Sequence, residues 1–289
     1  MAKYRREQKK NFLKKIVGLF PFIIFCLAFE FVPIFILVRD SFSLKSGDLT
    51  LQHYQSAFEP TYLKGFWNSI KLSGVTALIG TFLGAGIGYQ IFKWPNKKIQ
   101  STLITLSDVT TNFAGAPLAF GFIIILGSAG VVTKFLLNTF HWKIYPDFSI
   151  YSFTGLILTY VYFQLPLMVL LIIPAFSGLR QDWREAAQNL GANKMEYWRN
   201  VGIPILMPSM IAGYMLLFAN AFGAYATAFT LTGLRLPLIT MQIGSAISGE
   251  VMREQGHGQA LAVISLLIMG ACIAIYQMGT NKARKWSGH

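Results

Sequence analysis

The sequence predicts an all-α membrane protein of six spans, and three observations carry that reading. The 289 residues are 54% hydrophobic and only 13% charged, with a mean hydropathy of +0.49. The apolar residues gather into runs that match bilayer thickness and are too long for buried helices of a soluble domain. The 25 lysines and arginines, against 12 acids, crowd at the two ends and in alternate connecting segments, where topology-setting charges lie.

The first span falls at about Ile16–Val38. It follows a basic segment, residues 1–15, in which Lys3, Arg5, Arg6, Lys9, Lys10, Lys14 and Lys15 form a flank suited to anionic lipid. No small-residue cleavage site follows the apolar run, so it reads as a retained span and not a signal peptide. The other spans fall at about Ser69–Phe92, Leu103–Leu126, Phe153–Ile173, Ile205–Phe229 and Gln259–Met278. Residues 16–281 thus make one membrane domain, and Lys282, Arg284 and Lys285 open a basic tail over 282–289. With both termini in the cytoplasm, basic residues divide roughly two to one in favour of the inside. On the outside, Gly130 to Leu137 can form a short surface helix before a turn near Pro146. Gly233 to His257 is long for a hairpin and has room for a re-entrant or interfacial segment. Cys26 and Cys272 lie inside apolar runs and read as packing residues.

The inside loop over about 177–208 carries two cap signals. Asp182 is placed to cap a helix, with Glu185 three residues on as a capping box requires. Trp183, Ala186, Ala187 and Leu190 then share a face. Gly191 can take the left-handed conformation that ends a helix. Asn193 offers a second cap with Glu196, Met195 and Trp198 share a face of the helix that follows, and Pro204 closes the segment. Such a pair of helices suits either lipid headgroups or docking into a partner; the small alanines favour close helix packing.

Over nearly its whole length the chain resembles the membrane permeases of binding-protein-dependent type I ABC importers. Their loop carries Glu-Ala-Ala, three residues, Gly, nine residues, an aliphatic residue, any residue, another aliphatic and Pro. Here these are Glu185, Ala186, Ala187, Gly191, Val201, Ile203 and Pro204, with Val201 and Ile203 where Ile and Leu are commoner. The resemblance implies the six-span type I permease fold, with this loop as a coupling helix seated in an ATP-hydrolysing subunit. Glu185 would orient the helix and make polar contacts, Ala186 and Ala187 would permit close approach, and Gly191 would set the bend. It also implies a second permease (homologous, but a different chain), two ATP-binding subunits and an extracytoplasmic solute-binding protein. ATP and Mg would sit on those partners, with no cofactor in this chain.

Polar residues at membrane depth are costly and point to a pathway. The third span holds Asp108, Thr110, Thr111 and Asn112 ahead of Gly115 and Pro117, where a helix break can free carbonyls. Asp108 could instead pair with Lys97 or Lys98. The resemblance places parts of spans three to five along the path, so Asp108, Asn112, Gln164, Asn220 and Tyr225 become its candidates. Glu30, in the first span, reads as structural. Acids against few intramembrane bases point to a cationic solute. The runs around Tyr160–Pro166 and Phe35–Phe42 look most like the branch serving polyamines, thiamine, ferric iron and phosphonates.

Other classes fit poorly. His53, His141, His257 and His289 are dispersed, without metal-ligand spacing. No Gly-x-x-x-x-Gly-Lys-Ser/Thr loop occurs, so ATP hydrolysis would belong to another chain. The placement of the bases argues against nucleic-acid binding. An ATP-independent channel or a membrane scaffold is the rival reading.

Overall fold

A computed structural model describes residues 19–44, 48–247 and 255–287. The basic segment over 1–15 lies outside the described residues. Among those described, six helices are long and apolar enough to cross a membrane: Leu19–Ser41, Pro60–Phe92, Ala116–Phe140, Phe153–Ser177, Lys194–Phe222 and Gly256–Asn281. The chain packs as two units, Met1–Glu59 with Ile243–Ile264, and Pro60–Gln242 with Ser265–His289.

In the smaller unit, α1 (Leu19–Ser41) includes a π turn over Leu27–Phe31, and Glu30 stands exposed within it. At its end, Ser41 Oγ lies 2.8 Å from Tyr54 Oη of α2 (Gln52–Ser56). The buried rings of His53 and His257 meet edge-on at 5.8 Å.

The larger unit is built around α3 (Pro60–Phe92). Pro60 suits a helix start, so the second span begins well before the expected Ser69. The next expected span divides. Asn96 caps α4 (Lys97–Thr111), its side chain accepting from Lys98 and Ile99 backbone N–H. This helix buries none of its residues and ends before Gly115, whose φ is +74°. A new helix, α5 (Ala116–Leu126), starts with Pro117 in its first turn, where the missing N–H costs nothing. The apolar crossing is therefore Ala116–Phe140 and not Leu103–Leu126: proline opens the span instead of kinking it. A helix does form where Gly130 to Leu137 suggested one, as α6 (Val131–Phe140), but it belongs to this apolar crossing and is not a separate surface helix.

Helix α7 (Phe153–Ser177) lies along α3 at very close range. Gly80, Gly84 and Gly88 of α3 face Gln164, Met168 and Ile172 of α7, one helical turn apart on each side. A Cβ at Gly84 would stand 2.6 Å from that of Met168. Small residues at four-residue spacing let helix backbones approach where no hydrophobic effect drives them together. In the loop over about 177–208, α8 (Gln181–Asn189) and α9 (Lys194–Tyr197) lead into α10 (Ile203–Phe222). Ala77, Ala85, Met168, Ile172, Phe176, Leu206 and Leu217 form the core shared by α3, α7 and α10.

The fifth span also stops earlier than expected. It ends at Phe222, breaks at Gly223 and Ala224, and resumes as α11 (Tyr225–Thr232). The break frees the Ala224 carbonyl, which accepts a 2.7 Å hydrogen bond from the buried Tyr160 hydroxyl. The long stretch from Gly233 to His257 contains α12 (Ile239–Ile247), whose Ile239 N–H donates to Ser69 Oγ at 2.9 Å. Residues 248–254 of that stretch lie outside the described residues. The last helix is α13 (Gln255–Ser287).

Candidate functional site

Two places bring candidate residues together: the elbow of the loop over about 177–208 and a cavity near the broken helices. The elbow starts two residues earlier than the sequence suggests. Arg180 occupies the N-cap with an extended backbone and no side-chain cap bond. Asp182 lies in the first turn, where its charge suits the helix dipole, and binds Arg180 at 2.6 Å. The expected capping box between Asp182 and Glu185 is therefore not made. Glu185 Oε1 accepts instead from Gln181 Nε2 at 2.8 Å.

The end of α8 is as the glycine requires. Gly191 has φ +83°; its N–H donates to Gln188 O at 2.9 Å, and Ala192 N–H donates to Ala187 O at 3.0 Å. These two bonds are the Schellman pattern, which only a left-handed residue at this position completes. Replacing Gly191 by Ala is expected to destabilise the elbow by about 1–2 kcal/mol. Hydrogen exchange at the Gly191 and Ala192 amides reads this, and unchanged protection would contradict it.

The second cap forms as expected. Asn193 Oδ1 accepts from Met195 and Glu196 N–H, and Glu196 Oε2 accepts from Asn193 N–H at 2.8 Å. The helix it opens is not a separate stub, however. It runs through a π turn, Trp198–Gly202, into α10, forming one helix over Lys194–Phe222. Pro204 explains the turn. It has no N–H and its ring crowds the carbonyl four residues back, so one residue is inserted and Ile203 N–H reaches Trp198 O. Val201 lies half-buried in this turn, while Ile203 and Pro204 are exposed.

Glu185 and Ala186 are exposed and Ala187 half-buried. Leu190 is 88% exposed and Met195 76%, so the elbow presents apolar side chains outward. Met195 and Trp198 do not act together: Trp198 turns inward. Its ring meets Tyr89 edge-on at 5.3 Å, Tyr89 meets Phe176 at 5.3 Å, and Phe92 stacks on Phe176 at 6.0 Å. This aromatic seam ties the elbow to the ends of α3 and α7. Sequence reasoning missed it, although the signal was there in aromatic residues at two span ends and in Gly202, four residues after Trp198, against which the indole lies.

The cavity, of about 840 Å³, is lined among others by Thr111, Phe163, Asn220, Gly223, Tyr225 and Thr227. Two of the five path candidates, Asn220 and Tyr225, therefore share it. The helix breaks at Gly115 and Gly223 both border it. Gln164 does not: it is 0% exposed and donates to Thr76 Oγ1 at 3.1 Å in the α3–α7 seam. Asp108 and Asn112 are exposed but do not line the cavity either; Asn112 Nδ2 folds back onto Asp108 O at 3.1 Å. The alternative partner Lys97 donates to Gln100 Oε1 at 3.1 Å.

Comparison with known proteins gives this geometry a family. Residues 80–281 match the binding-protein-dependent transport system inner membrane component family. The spermidine/putrescine transport system permease protein PotB of Haemophilus influenzae is 26% identical over 242 residues, covering 83% of this chain and 82% of that protein. PotB of Escherichia coli is also 26% identical, over 275 residues that cover 93% and 97%. Among solved structures, a bacterial ABC transporter that imports the acidic polysaccharide alginate superposes with a TM-score of 0.69 over 98% of this chain and 99% of that one, at 16% identity. An alginate transporter in complex with its pentasaccharide-bound periplasmic protein gives 0.67 at 15% identity, over 98% and 97%. The family match spans well over half of the sequence, so this chain belongs to the inner membrane components of binding-protein-dependent transport systems and is a multi-pass permease subunit of an ABC importer.

Proposed function

We propose that this permease imports a small cationic solute, with a polyamine favoured, and is driven through its elbow by ATPase subunits on the cytoplasmic side. The single observation that carries the coupling reading is the elbow itself. A Schellman turn and a capping box fix its shape, an aromatic seam anchors it to the spans, and its tip leaves Glu185, Ala186, Leu190 and Met195 exposed. Exposed apolar side chains on a rigid, small-residue helix suit a protein cleft. ATP and Mg would be held by those two subunits. A second, homologous permease would complete the pathway, and a solute-binding protein would deliver to it from outside. Both termini would be cytoplasmic.

The solute reading rests on the cavity and on the relatives' names. Tyr225 stacks with Phe229 at 5.3 Å and shares the cavity with Asn220 and Phe163. Aromatic faces and neutral acceptors suit alkylammonium groups. Ferric iron would call for hard oxygen ligands, carboxylate or phenolate, and of these the cavity offers Tyr225 but no carboxylate.

The test is spermidine uptake into proteoliposomes holding the assembled transporter. Uptake is expected only with ATP, and Tyr225→Ala or Asn220→Ala is expected to raise KM by about 2- to 30-fold. Uptake that persists without ATP would favour the channel reading.

A further inference from the structure

Behind the elbow lies a second cavity, of about 500 Å³, whose basic residues the coupling reading does not use. Its wall is the aromatic seam of Tyr89, Phe92, Phe176 and Trp198, and its rim carries Lys93, Arg180, Arg184 and Lys194 against one carboxylate, Glu185. Arg180 is already paired with Asp182. Lys93 lies over the Tyr89 ring at 4.5 Å, so its ammonium is held at the cavity by a contact that leaves its N–H groups available. Among the described residues, Arg184 and Lys194 engage no carboxylate. Three cations thus converge on an aromatic-walled space with one opposing charge.

We propose that this cavity binds a phosphoryl anion, favouring the headgroup of an anionic phospholipid, and thereby clamps the elbow to the span ends. The reading rests on the elbow being the cytoplasmic coupling element. Two features select the ligand. The cavity lies where α3 and α7 end, at Phe92 and Ser177, which is headgroup depth for helices that span a bilayer. Arg and Lys on a shared rim match phosphate oxygens, and basic pockets between helices on the cytoplasmic side are suited to anionic headgroups. Phe92 and Leu179 then offer an apolar wall to the first methylenes of an acyl chain. Bound there, the anion would bridge Lys93, on the membrane side, to Arg184 and Lys194, on the loop.

The experiment is native mass spectrometry of the full chain released from nanodiscs containing phosphatidylcholine and phosphatidylglycerol. Selective retention of phosphatidylglycerol is expected. A Lys93→Gln, Arg184→Gln double variant should weaken it roughly tenfold or more. A Lys97→Gln, Lys98→Gln variant removes equal charge from outside the cavity and should leave retention unchanged. Millimolar inorganic phosphate separates the two sources of the anion: displacement of the lipid assigns the site to free phosphate, and retention assigns it to the headgroup. Equal loss in both double variants, or equal retention of phosphatidylcholine, would overturn the proposal. The readout needs no ATPase, so a motor that failed to engage the elbow would leave it unaffected.

Discussion

Reversing the charge at Glu185 is expected to cut ATP-driven uptake by about 10- to 100-fold while leaving the membrane fold intact. The side chain is exposed, and its bond is to Gln181 in the same short helix. Losing such a contact costs the fold a few tenths of a kcal/mol. A larger effect of Glu185→Lys on uptake would therefore come from outside this helix's own stability, either where the helix meets another chain or at the basic cavity that Glu185 borders. A lysine there would carry the wrong charge into contacts made by a carboxylate and would lengthen the side chain beside Ala186. Solute-stimulated ATP hydrolysis and uptake, measured on the same proteoliposomes, distinguish lost docking from lost transport. Wild-type uptake by Glu185→Lys would remove this loop from the coupling pathway.

The second large effect is expected within the bilayer. Gly84→Leu should destabilise the permease by at least ~2 kcal/mol and deplete it from the membrane fraction. Even a Cβ at Gly84 would stand 2.6 Å from Met168 Cβ and 3.1 Å from the Leu165 carbonyl oxygen. A backbone oxygen cannot give way without separating α3 from α7. Gly86, two residues along the same helix, has nothing within 4 Å of its Cβ position. Gly86→Leu should therefore be tolerated. Thermal unfolding and expression of the two variants side by side would decide it, and equal behaviour would refute the close-packing account.

Much of this architecture was legible because bilayer thickness and helical rise leave few options for a long apolar run. The elbow was legible at Gly191 and Asn193, where local backbone demands and side-chain capping fix the outcome within a few residues. Asp182 misled because a carboxylate suits both the cap and the first turn, and the sequence offers no signal for Arg180 as a cap. Pro117 and Pro204 misled for a related reason. Proline marks a disturbance, but whether it opens a helix, kinks one or inserts a π turn depends on neighbouring carbonyls. Gln164 illustrates the hardest case. A buried amide that bonds across a glycine groove looks, in sequence, the same as one that lines a pathway. The groove was itself readable in Gly80, Gly84 and Gly88, and would have assigned Gln164 to packing.

The π turn at Trp198–Gly202 has a mechanical consequence. Because it bridges the proline without interrupting the helix, Met195 at the elbow and Asn220 at the cavity sit about 38 Å apart along one helix. Gly213, about 27 Å from Met195 and about 10 Å from Asn220 along the axis, rests against Met168, which makes a natural fulcrum. A tilt of about 10° around that point would shift Met195 by about 5 Å and Asn220 by about 2 Å in the opposite direction. A sideways displacement at the elbow would thus reach the cavity reduced, and Pro204 and Pro208 are the points where the helix could bend and absorb part of the stroke.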